Sequence, residues 1–492
     1  MTAYVGAIDQ GTTGTRFVVF DEAGRAVASA YETHEQRYPR PGWVEHDPEE
    51  LWTNTRAVVG RALDAAEIDP GRLSAIGLTN QRETTVLWET ETGTPVSNAI
   101  VWQDRRTTER IERLEAEGKS AWIRETTGLE PDAYFSASKL EWLLDDAAVR
   151  ERAERGDLSF GTVDSWLLAN LTGDHATDVT NASRTMLFDV HDLAWDDALL
   201  AEFDVPRAVL PTVRPSVDPD GYGTTDPDVV GAEIPVTAVI GDQQASLFGH
   251  ACFDAGDAKN TYGTGSFVLV NTGTDAVASD HGLLTTVAFQ RAGDPARYAL
   301  EGSIFVTGAA VEWLADVNLV ADPEETDRLA RSVDSTDGVY FVPAFSGLGA
   351  PHWNQRARGT LVGLTRGTRR EHVVRATLEA VAFRTREVLD AMAADCGRDV
   401  TGLRVDGGAA RNDALCGIQA DALGVPVRRS AQTETTALGA AFAAGLGAGV
   451  WESEADLRET WRADRVFDPD PDPSLRFDRW REAVDRSLDW AE

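Results

Sequence analysis

Two aspartates, each ending an apolar run, mark the chemistry this sequence can do. Asp9 closes Val5-Gly-Ala-Ile8 and opens Gln10-Gly11-Thr12-Thr13-Gly14-Thr15-Arg16, beyond which Phe17 to Phe20 is apolar again. Apolar runs flanking a glycine-bearing turn read as a β-hairpin. The bend offers backbone N–H groups, threonine hydroxyls and one guanidinium, a set suited to phosphate, and Asp9 beside it can hold a hydrated magnesium ion. Asp242 follows Val236 to Gly241 and precedes a helix start at Gln243-Gln244-Ala245. An aspartate in that place is either a helix N-cap or a general base facing a cleft.

Lys259-Asn260-Thr-Tyr-Gly263-Thr264-Gly265-Ser266 repeats the small polar turn ahead of another apolar strand, and Leu403-Arg-Val-Asp406-Gly407-Gly408 reads strand, glycine pair, helix start. The buried strand Leu73 to Leu78 delivers Arg82 and Glu83 at its carboxyl end, where open α/β sheets take ligands. The bland alternative is a surface ion pair between sequence neighbours. Trp102 and Tyr134 would give a small polyol an apolar wall, although either aromatic alone is ordinary core material. Gly118-Lys119-Ser120 lacks the earlier glycine of a P-loop, and no Gly-x-Gly-x-x-Gly or Gly-x-Ser-x-Gly occurs, so any nucleotide must be held by hairpin turns.

These residues need a scaffold that brings distant turns together. The first hairpin is followed by a third strand, Ala26 to Tyr31, and a helix from Pro48 to Ala65 capped by Asp47, the opening of a ribonuclease-H-like domain. A second hairpin turn at the head of the second half reads as an internal duplication around a cleft. A chain of 492 residues exceeds one compact core, so domains over 1–250 and 251–492 are expected. The Pro/Asp/Gly-rich segment Pro211 to Pro235 reads as an exposed excursion. The Ala/Gly-rich stretch from Ala437 reads as a tightly packed helix.

Composition narrows the function. With 81 acidic against 46 basic residues the formal net charge is -35, which argues against a nucleic-acid partner. Lysine is confined to Lys119, Lys139 and Lys259. An acidic surface with little lysine suits a salt-loaded cytosol, where the Debye length falls to about 3 Å at molar salt and self-repulsion is screened. The acidic residues should then lie mainly on outer faces. No apolar run is long enough for membrane insertion, no secretory pattern opens the chain, and Cys252, Cys396 and Cys416 read as reduced thiols, so a cytoplasmic location is expected.

The two matched hairpin turns resemble those of the actin, hexokinase and heat-shock-ATPase superfamily, whose paired domains close on a nucleotide. Asp9-Gln-Gly-Thr-Thr13, Pro41-Gly-Trp-Val-Glu-His-Asp-Pro48, Thr79-Asn-Gln-Arg-Glu-Thr84, Ile100-Val-Trp-Gln103, Thr180-Asn-Ala-Ser-Arg-Thr-Met-Leu-Phe188, Gly241-Asp-Gln-Gln244, Asn260-Thr-Tyr-Gly-Thr-Gly265 and Val405-Asp-Gly-Gly408 occur in this order. Together they resemble the FGGY carbohydrate kinase family, and within it the members that phosphorylate glycerol, along essentially the whole chain.

The resemblance implies an α/β fold of two ribonuclease-H-like domains facing a nucleotide cleft, glycerol and phosphates on the first and the nucleotide on the second. It implies ATP-dependent phosphorylation of glycerol to sn-glycerol 3-phosphate in glycerol catabolism, with Mg2+, and a homo-oligomer, either dimer or tetramer. Carried over residue by residue, it assigns glycerol to Arg82, Glu83, Trp102, Tyr134, Asp242, Gln243 and Phe267. Nucleotide contacts fall to Thr12, Thr13, Gly14, Arg16, Thr264, Gly308, Glu312, Gly408 and Asn412. Metal falls to Asp9 and Asp242, and Asp242 is the expected base. Gly14 stands where many relatives have serine, and Glu312 where glutamine is frequent. Rival readings are a pentulose kinase of the same family and a non-catalytic nucleotide switch.

Overall fold

The computed structural model of the chain describes residues 3–472 and 474–491; Met1, Thr2 and Glu492, the outer ends of the expected domains, and Pro473 lie outside them. In the first half, strands β1 (Tyr4–Gln10), β2 (Gly14–Asp21), β3 (Ala26–Thr33), β4 (Leu73–Asn80) and β5 (Val236–Gly241) form one sheet in the order β3-β2-β1-β4-β5. β1 pairs antiparallel with β2 and parallel with β4, and β5 lies parallel to β4. In the second half, β6 (Ala258–Tyr262), β7 (Ser266–Gly273), β8 (Leu284–Phe289), β9 (Arg297–Ile304), β10 (Leu403–Asp406), β11 (Val427–Ser430) and β12 (Ala463–Phe467) form a sheet whose middle runs β9-β7-β6-β10-β11. The senses repeat: antiparallel through β9, β7 and β6, then parallel to β10 and β11. The duplication read from the turns is present strand for strand, with β8 and β12 added at the edges.

Alternation along the first strands decides which face meets which helix. Val5, Ala7, Val18 and Phe20 join the cluster that includes Ala437 to Leu446, whereas Ile8, Phe17 and Val19 join that of Leu51, Val58 and Leu63. Successive strand residues point to opposite faces, so both faces of this sheet are covered. The Pro48–Ala66 helix starts as its sequence predicts: the Asp47 carboxylate accepts from Glu49 N at 3.0 Å and proline occupies the first position.

The Ala/Gly helix, Thr435–Gly447, belongs to the second half in sequence yet packs on the first sheet and crosses the helix Asp242–Gly249. A Cβ on Gly439 would run into the carbonyl of Ala245, and one on Gly249 into that of Thr435. Small residues let the two backbones touch, so the helix that begins with Asp242 and the one preceded by Glu434 are locked together between the domains. The excursion Pro211–Pro235 is exposed along Pro219–Asp220, Gly223–Thr224 and Asp226–Asp228, yet it is also anchored. Tyr222 is fully buried and donates to Pro215 O at 2.7 Å, and Ser216 donates to Asp178 at 2.7 Å, so side-chain anchors hold a turn-rich segment down.

Among the described residues the buried acids are Asp21, Glu83, Asp104, Asp164, Asp178, Glu301, Glu379 and Asp406. Most of the remaining acidic side chains reach solvent, as the charge required. No helix among the described residues is long and apolar enough to cross a membrane.

Candidate active site

The turn after β1 is braced from behind. Gly11 N donates to Gly14 O at 2.9 Å and closes it. Side-chain amides tie its carbonyls: Gln10 and Gln81 donate to Gly11 O at 3.1 and 3.2 Å, and Gln36 to Thr12 O at 2.9 Å. Gly14 has a packing reason to be glycine, because a Cβ there would lie 2.5 Å from both Glu32 O and the Tyr31 hydroxyl. Thr13 reaches the same hydroxyl at 3.4 Å. Asp9 and Arg16 are partners in register across the hairpin. Arg16 also pairs with Glu434 of the other half and lies over the Tyr31 ring.

Asp242 is the first residue of its helix, with Gly241 at the cap, so the N-cap alternative does not apply. Its Oδ1 accepts from Gln243 N at 2.6 Å and forms an ion pair with Arg82 Nε at 3.1 Å, while its side chain stays 27% exposed. Among the described residues no partner engages Oδ2. Burial raises its pKa and Arg82 opposes the rise. Asp9 is pushed up to about 7 by burial, Asp242 and Glu434, with Arg16 opposing. Asp9 therefore shares one electrostatic environment with Asp242 and Glu434, which come from three separated parts of the chain.

Arg82 and Glu83 are buried rather than paired on the surface, and they hardly pair with each other, at 4.0 Å. Arg82 donates to Glu301 at 2.6 and 3.1 Å and to Gln244 at 3.1 Å. Arg184 donates to Glu83 at 2.7 Å and to Glu301 at 3.1 Å. Glu83 adopts a left-handed φ of 62°, an uncommon conformation for a non-glycine residue and one that concentrates at functional sites. Burial works against the Glu301 anion, but Arg184 and Arg82 hold its pKa down to about 2. Glu83 is raised by burial against the pull of Arg184 and Arg82.

Trp102 and Tyr134 meet edge to face at 5.4 Å beside this network, and the Phe267 ring lies 5.9 Å from the Arg82 guanidinium. Trp102 Nε1 donates to Thr12 at 2.9 Å, so the aromatic wall adjoins the braced turn. All seven residues expected around an acceptor thus cluster, and Phe267 and Glu301 bring the second half into contact with Arg82. Arg184, Glu301, Gln244, Lys259 and Glu434 are participants that sequence reasoning did not single out. Glu301 had a signal, as the one charge in the run Tyr298 to Ile304 of its strand.

On the second half, Thr264 is exposed at its turn and Thr264 O accepts from the amides of Thr307 and Ala309 at 2.9 and 3.1 Å, which joins it to the helix beginning at Gly308. A Cβ on Gly308 would lie 2.6 Å from Gly263 O. Gly407, at φ 88°, permits close approach to the Tyr262 backbone, whereas a Cβ on Gly408 would meet nothing within 4 Å. Gly408 thus presents open backbone. Glu312 is exposed on the same helix as Gly308. Asn412 caps the next helix, accepting from Leu415 N at 3.0 Å and donating to Thr326 at 2.9 Å, so its side chain is already engaged.

The sequence pattern of the FGGY family of carbohydrate kinases matches twice, the N-terminal domain over residues 4–249 and the C-terminal domain over residues 258–448. The chain is 64% identical to the glycerol kinase of Haloferax volcanii over 99% of its own length and 98% of that protein's. It is 52% identical to glycerol kinase 2 of Thermotoga maritima, with 99% of each covered. The crystal structure of Plasmodium falciparum glycerol kinase with ADP superposes with a TM-score of 0.94 at 38% identity, over 99% of this chain and 98% of that one.

Proposed function

We propose that this chain, which belongs to the FGGY family of carbohydrate kinases, transfers the γ-phosphoryl group of ATP to a terminal hydroxyl of glycerol, giving sn-glycerol 3-phosphate and ADP. Identity of 64% to a glycerol kinase over nearly the full length, and likeness to a glycerol kinase crystallised with ADP, support the substrate pair. The observation that carries the mechanism is Asp242: its Oδ1 is held by Arg82 and Gln243 while Oδ2 has no partner among the described residues.

Oδ2 accepts the proton of the attacking hydroxyl as its oxygen bonds to the γ-phosphorus. The bond from that phosphorus to the bridging oxygen breaks, and ADP leaves. Arg82, Glu83 and Gln243 orient the polyol, with Trp102, Tyr134 and Phe267 as its wall. The braced turn from Gly11 to Gly14 receives the transferring phosphoryl group, Gly408 offers open backbone to the nucleotide, and Thr264 and Gly308 hold the turn beside it. Positioning and electrostatics supply most of the rate in such a transfer. Arg16 pairs with Glu434 through one guanidinium nitrogen, which leaves its other donors for a phosphate oxygen.

The carboxylates of Asp9 and Asp242 fit a hydrated Mg2+: Asp9 is held up to about 7 partly by its acidic neighbours, a repulsion that a cation relieves, and Mg2+ takes only one or two carboxylates alongside phosphates and water. Bound there, it would neutralise charge developing on the phosphate oxygens. The division at about residue 250, a cytoplasmic location and a homo-oligomer complete the reading. A coupled ADP-release assay in molar KCl tests it, with glycerol, a pentulose and no acceptor in parallel. ADP release that depends on glycerol is expected. Preference for the pentulose, or acceptor-independent hydrolysis, would overturn it.

A further inference from the structure

Arginine supplies almost all the positive charge here, so each of the three lysines asks for a reason at its own position. Lys119 lies at the surface, 2.7 Å from Glu117 and from Glu202. Lys139 is buried, and its Nζ donates to the backbone carbonyls of Ala133, Tyr134 and Phe135. Lys259, also fully buried, on β6, serves side chains instead: its Nζ donates to Gln243 Oε1 at 2.6 Å and to Thr261 Oγ1 at 3.0 Å. Thr261 and Asp406 both reach Ser246, at 3.1 and 3.3 Å, so the ammonium opens a polar chain that ends beside the Gly407–Gly408 turn. An arginine fork would not fit this compact place, because a guanidinium spreads its donors in a plane, whereas an ammonium is a point charge with three rotatable donors.

Gln243 has one acceptor and two donors on its side-chain amide. An ammonium has no lone pair, so it can face only the amide oxygen. We propose that Lys259 is a positioning residue for the acceptor pocket: it pins Gln243 Oε1, turns the NH2 group toward the substrate, and makes position 243 a hydrogen-bond donor to a polyol oxygen. The proposal rests on the glycerol-phosphorylating reading. It adds a reason for selectivity, since a ligand presenting a hydrogen there, or an apolar group, leaves the amide donors unpaired.

A double-mutant cycle tests it, with Lys259→Met, Gln243→Ala and the combination assayed in molar KCl for the KM of glycerol and, separately, of ATP. Wild-type activity is measured first; if glycerol does not stimulate ADP release at all, the functional reading fails before this inference is reached. With an active wild type, Lys259→Met is expected to raise the glycerol KM by about tenfold and to change the ATP KM by less than about twofold. In the Gln243→Ala background the same substitution should add nothing further, because Lys259 acts through that amide. Equal effects in both backgrounds, equal effects on both substrates, or an unchanged glycerol KM would each overturn the proposal.

A measurement on the unmutated protein stands apart from any folding defect of the variant. Lysine labelled with nitrogen-15 gives few Nζ resonances in a chain with three lysines. Saturating glycerol without nucleotide should shift the resonance lost in Lys259→Met, or, if that variant does not fold, the resonance that is lost in neither Lys119→Arg nor Lys139→Arg. A spectrum in which that Lys259 Nζ signal stays still contradicts the inference.

Discussion

Replacing Glu301 by glutamine probes the buried charge network behind the acceptor pocket. Glu301 is fully buried and takes three charge-assisted hydrogen bonds, two from Arg82 and one from Arg184. Its pKa falls from 4.5 to about 2, a preference for the charged form of roughly 3 kcal/mol. Removing one partner of a buried ion pair costs about 3–5 kcal/mol, because the remaining charge stays buried. Glu301→Gln keeps the shape and removes the charge, so both guanidiniums must share Glu83 and Asp242. The expected loss is ~3 kcal/mol in urea unfolding at molar KCl.

The sign with pH follows from the depressed pKa. The stabilisation is complete above about 4.5 and fades as pH falls toward about 2, so the gap between wild type and variant should narrow over that range. Arg82 should also lean further onto Asp242, weakening the base and raising the glycerol KM. A variant within about 0.5 kcal/mol of wild type, or a gap indifferent to acid, would refute the reasoning.

Gly14→Ser should lower stability by about 1–3 kcal/mol through the clash with Tyr31 and Glu32, read as a lower melting temperature; an equally stable variant with tighter ATP binding contradicts the packing explanation. Asp9, raised to about 7, should release a proton when Mg–ADP binds below that pH. Affinity by calorimetry should therefore weaken as pH drops below about 7, and the ligand-free protein should lose stability as pH rises from about 4 to about 7. Affinity flat over that range counts against a carboxylate held up by its neighbours. Dilution from molar to about 0.1 M KCl lengthens the Debye length from about 3 to about 10 Å, so the net charge of -35 should depress the melting temperature markedly; a salt-independent melting temperature contradicts the surface reading.

Much of this site was legible because local chemistry and topology agreed. The strand–turn–strand at Asp9, its copy at Gly263 and the glycine pair at 407–408 are local patterns, and their repetition announced the duplication that both sheets show. Burial of Arg82 and Glu83 was not legible, since adjacent opposite charges look the same on a surface. What buries them are partners 101 and 219 residues away, Arg184 and Glu301. Gly14 read only as a departure from the serine of many relatives, because the Tyr31 side chain that excludes a Cβ comes from the neighbouring strand. The anchors of the excursion at 211–235 went unread for the same reason: its turn residues are local, whereas the contact of Ser216 with Asp178 is not.

The central claim is that Asp242 takes the proton of a glycerol hydroxyl while the turn at Gly11–Gly14 receives the transferring phosphoryl group. Single-turnover phosphoryl transfer from ATP to glycerol, compared between wild type and Asp242→Asn with glycerol and nucleotide affinities measured alongside, tests it most directly. Both proteins should bind both ligands, and the variant should transfer more slowly by about 10²–10⁴-fold. Transfer by Asp242→Asn at a rate near that of wild type would contradict the account.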